Sequence, residues 1–326
     1  MEQRHEETPD TDPFKRRKLG TSNLSVPQLG FGGAPLGELY VKISEADSLA
    51  TMNAAWDGGI RYFDTAPWYG RGLSEHRMGQ GLFDKPRGDF LVSTKVGRVL
   101  HAPVPETWRP TDWAGGLPFA LRFDYGYDAV MRSFEDSLQR MRLTKLDILV
   151  IHDLDFMYHQ TEPRVTAYLT QLATSGYRAL AELKAAGLVG AIGAGINETG
   201  MIPRFLDLVE LDFFLLAMRY TLGEQSALTA EIPLAAEKGI GFIIGGVFSS
   251  GLYATGPVPG AKFNYRDATP AELDKAGKVK AIWVIPGGFK PEHVSANIEA
   301  MKHPIPDALW AELKHEGLLP AEAPTP

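Results

Sequence analysis

The sequence predicts an α/β fold, a parallel barrel of eight strands ringed by helices. Three observations carry this. Short apolar runs rich in β-branched residues recur along the chain, and each is nearly continuous rather than alternating, the pattern of strands buried on both faces. Helical patterns separate these runs over about 250 residues, the span of a (β/α)8 barrel. The glycine-rich stretch Leu29–Gly37 (LGFGGAPLG) lacks the GxGxxG spacing and the prompt helix of a doubly wound dinucleotide-binding sheet.

In chain order, Met1–Arg17 (MEQRHEETPDTDPFKRR) reads as a mobile polar arm, and residues 18–320 as a single barrel domain. Pro27–Gly30 and Ile60–Phe63 are the weaker strand candidates. Clearer ones are Phe90–Ser93, Asp147–Ile151, Val189–Ile192, Phe213–Leu216, Gly241–Val247 and Ile282–Ile285. Ser44 with Asp47 caps a helix that runs to Asp57 and stops at Gly58-Gly59. Tyr127–Met141 places Val130, Phe134, Leu138 and Met141 on one face. Gly176–Ala186 ends at Gly187, a suitable terminator. Thr199–Leu211, Glu224–Lys238 and Glu292–Met301 complete the helices, with Pro233 interrupting the second of these three.

Composition narrows the function. The 326 residues hold no cysteine, so thiol nucleophiles, thiolate metal sites and redox pairs are excluded. Thirty-three basic residues against 40 acidic ones give a net charge of −7, and no Lys/Arg run marks a nucleic-acid face. No apolar stretch is long enough to span a membrane, and the N-terminus lacks the apolar core of a secretion signal. The expectation is a cytoplasmic protein, a monomer or small homo-oligomer, that acts on a small molecule without nucleic-acid or membrane partners and without a metal.

In a parallel barrel, chemistry gathers where strands end at the carboxyl rim. Asp64 follows the run IRYF, Lys95 lies at the end of FLVST, His152 follows DILVI, and Tyr69 sits in the loop DTAPWYG after Asp64. Taken singly, each has a plain structural use: a helix cap, a solvated lysine, a hydrogen-bonded histidine, a packed ring. Convergence of all four on one rim points instead to proton transfer coupled to hydride transfer. A tyrosine titrates near 10, too high for a base near neutrality. An adjacent ammonium at Lys95 is expected to lower it, with Asp64 holding that ammonium in place. His152 would orient the substrate oxygen, and the hydride would pass to or from a nicotinamide.

These residues resemble the aldo-keto reductase superfamily. The resemblance rests on Gly59–Gly70 (GIRYFDTAPWYG) with Ser74-Glu75, on Ser93–Val96 (STKV) and on Asp147–Asp153 (DILVIHD). It continues through Tyr177–Gly193, Gly245–Leu252 (GGVFSSGL) and Ile285–Asn297 (IPGGFKPEHVSAN). Phe123–Met131 (FDYGYDAVM), His152–Asp155 (HDLD) and Gly193–Glu198 (GAGINE) are most similar to the branch of D-threo-aldose (L-fucose) and pyridoxal dehydrogenases. The resemblance implies a TIM barrel with NAD(P) across its rim and a catalytic set of Asp64, Tyr69, Lys95 and His152. The activity implied is hydride exchange with a hydroxyl or carbonyl group. Oxidation of an aldose hemiacetal to a lactone is preferred over pyridoxal oxidation or general carbonyl reduction.

The same resemblance places Phe248 against the nicotinamide and Ser249, Ser250, Gly251 and Leu252 around the diphosphate. Gly33, Asn197, Gly287, Gly288, His293 and Asn297 are the other implied cofactor contacts. Where NADP-preferring members carry Lys and Arg, this chain has Gly287 and His293. NAD is therefore expected, with NADP as the alternative. Trp68, Phe123 and Tyr125 are the implied substrate contacts. The last two lie in the aromatic-rich segment His101–Tyr127, which also holds Trp108, Trp113 and Phe119 and reads as a substrate lid.

One region departs from the family. Between Gly251 and Ile282 the chain is some 25–30 residues short of its relatives, and a helix from Ala271 to Ala281 would rise only about 16 Å. A shortened seventh βα unit and a thin barrel wall are expected there. Two readings from other classes remain at this stage: a lyase using Lys95 as a Schiff-base nucleophile, and a non-catalytic binding barrel.

Overall fold

The computed structural model describes residues 11–104, 113–279 and 288–325. Seven parallel strands follow one another around a nearly closed barrel: Phe31–Gly32, Tyr62–Asp64, Leu91–Val96, Ile148–His152, Ala191–Ile196, Phe213–Ala217 and Gly241–Gly245. Among the described residues each pairs only with its sequence neighbours in this order, and helices cover the outside, the (β/α)8 TIM-barrel arrangement. The expected last strand, Ile282–Ile285, lies outside the described residues.

Why the runs read as unbroken apolar stretches is visible in how they pack. Tyr62, Ile148, Val150, Ala191, Phe213 and Leu215 point inward and form the barrel's own core. Their neighbours Phe63, Val92, Leu149, Ile151, Ile192, Phe214 and Leu216 point outward under the helices. Alternation is present, but both faces are dry, so both carry apolar side chains.

The floor is closed by a hairpin, Arg16–Lys18 against Ser25–Pro27, whose Leu19 and Val26 plug the inner core. The arm expected over residues 1–17 therefore ends earlier than the sequence suggested. Phe14 packs against the outer core, and Arg16 and Arg17 already pair in the hairpin. Pro27–Gly30 is not the first barrel strand either. It leads out of the hairpin, and the barrel begins with the two residues Phe31–Gly32.

Two carboxylates lock the floor. Asp212 accepts from the backbone N–H of Ile192 (2.8 Å), from Lys184 Nζ (2.6 Å) and from Thr21 Oγ1 (2.8 Å), tying strand, helix and hairpin together. Asp147 does the same one layer along, accepting from Val92 N (2.8 Å) and Arg87 (2.6 Å).

Helices follow the expected places with shifted ends. Glu45–Asp57 is capped by Ser44, which accepts from Asp47 N. Tyr127–Met141, Tyr177–Ala185 and Pro291–Lys302 match the sequence patterns closely. The pattern over Thr199–Leu211 yields only Met201–Leu206, because Gly200 enters it in a left-handed turn (φ 92°). Glu224–Lys238 resolves into a short turn at Ser226–Leu228 and a helix Glu231–Glu237. Pro233 falls in that helix's first turn, where no N–H is needed, so it starts the helix rather than breaking it.

The seventh unit is short. Strand Gly241–Gly245 is half-buried at every residue, whereas Ile148–His152 is buried at every residue. After it come Leu252–Thr255, a small hairpin of Lys262–Phe263 with Arg266–Asp267, and the ten-residue helix Pro270–Val279. Leu252, Ala261 and Ala276 pack into a small cluster of their own there.

Replacing Asp212 with Ala should lower the unfolding free energy by about 2–4 kcal/mol, because Lys184 and a buried backbone N–H lose their acceptor together. Urea unfolding should show a lower midpoint at unchanged slope. A loss under about 0.5 kcal/mol would contradict this role.

Candidate active site

Parallel register sets the site. Asp64 pairs with Ser93 across the second and third strands, and Lys95 pairs with Val150 across the third and fourth. Side chains two residues apart on one strand share a face. Ser93 and Lys95 thus reach the same carboxylate: Ser93 Oγ donates to Asp64 Oδ1 (2.6 Å) and Lys95 Nζ donates to Oδ2 (2.7 Å). Lys95 also donates to the carbonyl of Thr65 (2.8 Å) and is only 2% exposed.

The loop after Asp64 carries Trp68 and Tyr69 back over this pair. Its shape depends on a close backbone approach: Gly70 adopts φ +61°, and a Cβ there would stand 2.5 Å from the carbonyl oxygen of Gly37. The Tyr69 ring lies with its centroid 4.6 Å from Lys95 Nζ and stands edge-on to His152, centroids 5.8 Å apart. Asp64, Tyr69, Lys95 and His152, dispersed in sequence, are gathered at one spot on the carboxyl rim.

The electrostatics differ from the sequence expectation at Tyr69. Its pKa is raised well above the usual tyrosine value, first by burial and then by Asp64 and Asp153, with Arg98 opposing. Burial and the two carboxylates outweigh the neighbouring ammonium of Lys95, which is itself paired with Asp64. Resting Tyr69 is a neutral phenol. His152 is pushed well below the usual histidine value, by burial first and then by Arg98 and Lys95, so it is a neutral imidazole.

A second buried network adjoins the first. Gly97, at φ +102°, turns the chain out of strand Leu91–Val96 into an antiparallel hairpin, Arg98–His101 with Ala120–Phe123. That turn buries Arg98 beside Asp153, with which it forms an ion pair, and its guanidinium stacks on Trp68 (4.1 Å) and Tyr158 (4.0 Å). Asp153 also accepts from Asn197 Nδ2 (2.7 Å) and lies 3.2 Å from His152 Nε2. Burial lifts its pKa to about 6, with Arg98 opposing and Asp155 adding to the rise. Asp155 accepts from Asn197 N (2.8 Å) and Nδ2 (3.0 Å). Sequence reasoning did not single out Arg98 or Asp153. The doublet His152-Asp153 at a strand end was the available signal. Arg98 resembles any charged residue of a surface hairpin.

A cavity of about 30 Å³, room for about one water, lies among Trp68, Tyr69, Lys95, His152, Asp153 and Tyr265. Gly195, Ile196, Asn197, Leu215 and Ala217 form its remaining wall. Trp113 is buried against Trp68 (5.2 Å) and Tyr69 (5.9 Å), so part of the expected lid does close over the site. Trp108 lies outside the described residues. Two of the expected substrate contacts sit elsewhere. Tyr125 is fully buried beneath the site, donating to the His152 carbonyl (2.8 Å) and meeting His159 Nε2 (3.0 Å). Phe123 packs on His159 (4.5 Å) and Tyr168 (6.3 Å).

For the expected cofactor contacts, Ser249, Ser250 and Gly251 make a turn of successive left-handed residues (φ 47°, 63° and 100°) after strand Gly241–Gly245. Non-glycine residues in this region carry strain, which is concentrated at functional sites. The hydroxyl of Ser249 is buried without a hydrogen-bond partner among the described residues, and a Cβ at Gly251 would meet nothing within 4 Å. A left-handed turn that combines an unpartnered hydroxyl at Ser249 with an unobstructed Gly251 fits a phosphate-bearing ligand. Phe248 and Leu252 flank the turn. Asn197 presents its amide to Asp153 and Asp155. Gly33 is buried, its N–H given to the Asp64 carbonyl (2.7 Å). Gly288 precedes helix Pro291–Lys302, His293 and Asn297 lie within it, and His293 meets Phe289 edge-on (4.6 Å). Gly287 lies outside the described residues. Among the described residues no cluster of His, Asp or Glu could hold a metal, and no helix is long and apolar enough to cross a membrane.

The barrel and the rim constellation describe a hydride-transfer enzyme, and comparison with known proteins agrees. The model of the Aldo/keto reductase family matches residues 28–282. The chain is 35% identical to pyridoxal 4-dehydrogenase of Microbacterium luteolum, covering 94% of this chain and 98% of that one. It is also 35% identical to D-threo-aldose 1-dehydrogenase of a Pseudomonas species, covering 92% and 96%. In fold it is similar to an aldo-keto reductase of Bacillus halodurans in its holo form (TM-score 0.69, 21% identity, 93% and 96% covered). An aldo-keto reductase of Klebsiella pneumoniae in complex with NADPH gives a TM-score of 0.63 at 18% identity, with 94% and 96% covered. The chain belongs to the aldo/keto reductase family. It is an NAD(P)-dependent oxidoreductase, in a family that uses nicotinamide cofactors.

Replacing Gly70 with Ala should force Tyr69 and its loop outward, since neither φ nor the Gly37 carbonyl leaves room for a Cβ. The expected result is a drop of about 1–3 kcal/mol in stability, together with lost turnover. Thermal unfolding and steady-state rates check it. Unchanged values for both would contradict the close approach.

Proposed function

We propose that this chain is a dehydrogenase that uses NAD to oxidise the hydroxyl of an aldose hemiacetal, of the L-fucose or D-threo type, to a lactone. The observation that carries the reading is the gathering of Tyr69, Lys95 and His152 around one cavity, with Asp64 holding Lys95. The lining combines aromatic rings (Trp68, Tyr69, Tyr265) with polar groups (Lys95, His152, Asp153, Asn197). A sugar offers partners for both, an apolar ring face and a hydroxyl edge. The resemblance to a D-threo-aldose 1-dehydrogenase supports the choice. The comparable resemblance to a pyridoxal 4-dehydrogenase supports a second reading, oxidation of pyridoxal to 4-pyridoxolactone.

A nicotinamide, when bound, would supply or accept the hydride. Ser249, Ser250, Gly251 and Leu252 would hold its phosphates, with Phe248 nearby. NAD is preferred over NADP because His293, edge-on to Phe289, replaces a fixed cation where the family holds a 2′-phosphate. The protein's own groups manage the proton. Tyr69 gives its proton to a carbonyl oxygen in reduction and takes one from the hydroxyl in oxidation. Asp64 and the Thr65 carbonyl hold Lys95 still, so the ammonium faces the phenol as a fixed charge. With two of its three N–H donors committed in this way and its charge paired, Lys95 has little freedom to act as a Schiff-base nucleophile, and the lyase reading falls. Neutral His152 hydrogen-bonds the reacting oxygen and sets its place.

The sign of the pH dependence follows from Tyr69. Its raised pKa means that the phenolate grows about tenfold per pH unit through the accessible range. Oxidation should therefore accelerate from about pH 6 towards 10, while reduction should not. A substrate panel of L-fucose, other aldoses and pyridoxal, read by nicotinamide fluorescence with NAD and NADP in parallel, tests the substrate. Turnover of neither sugar nor pyridoxal with either nucleotide would sink the proposal. Tyr69→Phe should keep cofactor binding and lose about 10²–10⁴ in kcat, and an unchanged kcat would remove Tyr69 from its role.

A further inference from the structure

A neutral imidazole carries its proton on one of two nitrogens, and its neighbours decide which. In His152, Nδ1 is sealed from solvent and has no hydrogen-bond partner among the described residues. The ring lines the cavity, so the edge it offers there is the one bearing Nε2, 3.2 Å from Asp153 Oδ2. An ionised carboxylate accepts hydrogen bonds and gives none. Beside it, Nε2 is favoured as the protonated nitrogen. Asp153 is itself fixed by two groups that only donate to it: buried Arg98 on Oδ2, and the Asn197 amide on Oδ1 (2.7 Å). Its backbone sits at φ 49°, in the left-handed region that Asp enters more readily than most residues.

We propose that Asp153, clamped by Arg98 and Asn197, is a positioning residue that keeps the proton of His152 on Nε2, the edge that meets the substrate oxygen. The inference rests on the reading of His152 as the group that orients that oxygen. Asp153 touches neither bond being made nor bond being broken. It lines the same cavity, but it acts through the imidazole rather than on the reacting atoms. Arg98 is part of the same device, because its guanidinium keeps the carboxylate ionised and pointed despite burial that pushes the other way. Trp68 and Tyr158 pack against that guanidinium from two adjacent sides, at 4.1 and 4.0 Å, and restrict its turning away.

The test uses the full-length chain. Asp153→Asn keeps the shape but offers an amide that can present a donor as readily as an acceptor. Nitrogen-15 spectra of the imidazoles, with His152 assigned by comparison with His152→Ala, should show the Nε2–H form in the parent and a mixture or the Nδ1–H form in D153N. This arm needs no turnover, so it is independent of the substrate assignment. With whichever substrate the parent oxidises, D153N should lose at least about tenfold in kcat while KM and the cofactor Kd stay within about threefold. Asp153→Glu should recover part of the rate. If D153N fails to fold because Arg98 is left unpaired, the double variant R98Q/D153N removes both charges and is read the same way. An unchanged His152 spectrum, or a kcat within twofold of the parent in whichever variant folds, overturns the proposal.

Discussion

The site depends on a lysine ammonium held in a nearly dry position. Such a charge is tolerated only where an opposite charge and further acceptors surround it. Here the Asp64 carboxylate and the Thr65 carbonyl supply them, at 2.7 and 2.8 Å. That requirement reaches outward. Asp64 must end its strand level with Ser93, so that Ser93 and Lys95 both reach it. The chain must then turn back through the Gly37–Gly70 contact to lay Tyr69 over Lys95. Moving either strand by one residue would send these side chains to the helix-covered face.

Carboxylates divide the barrel by task. Asp147 and Asp212, at the strand starts, accept from backbone N–H groups and from cations on neighbouring elements, and what they gain is cohesion. Asp64 and Asp153, at the strand ends, meet groups with chemical uses. The same residue type in the same kind of position carries out structural work at one end and catalytic support at the other. The reason is which end of the strands the loops leave open.

Much of the fold was legible because a strand buried on both faces leaves an unbroken apolar run. Ile148–His152 and Phe213–Ala217 were found this way, and so were the four rim groups that follow such runs. Phe31–Gly32 was hidden, since two residues set among glycines carry no such run. The floor hairpin was hidden too, because its strand Arg16–Lys18 is charged and exposed. Tyr125 looked like a lid residue because aromatic content does not tell a ring over a pocket from one beneath it. Only the turn at Gly97, whose Cβ would strike the Tyr125 ring at 2.2 Å, decides that it lies underneath. Burial also reversed an electrostatic argument. Proximity of Lys95 to Tyr69 was readable, but the burial and the two carboxylates that outweigh its charge were not.

The account stands or falls on whether this enclosed ammonium serves the proton transfer at Tyr69. Lys95→Met keeps the length of the side chain and removes its charge. Its turnover, followed by nicotinamide absorbance with the substrate the parent protein uses, is the direct measurement, taken beside its cofactor affinity. The account predicts a loss of about 10²–10⁴ in kcat with cofactor affinity within about threefold of the parent. A Lys95→Met protein that turns over at the parental rate would contradict it.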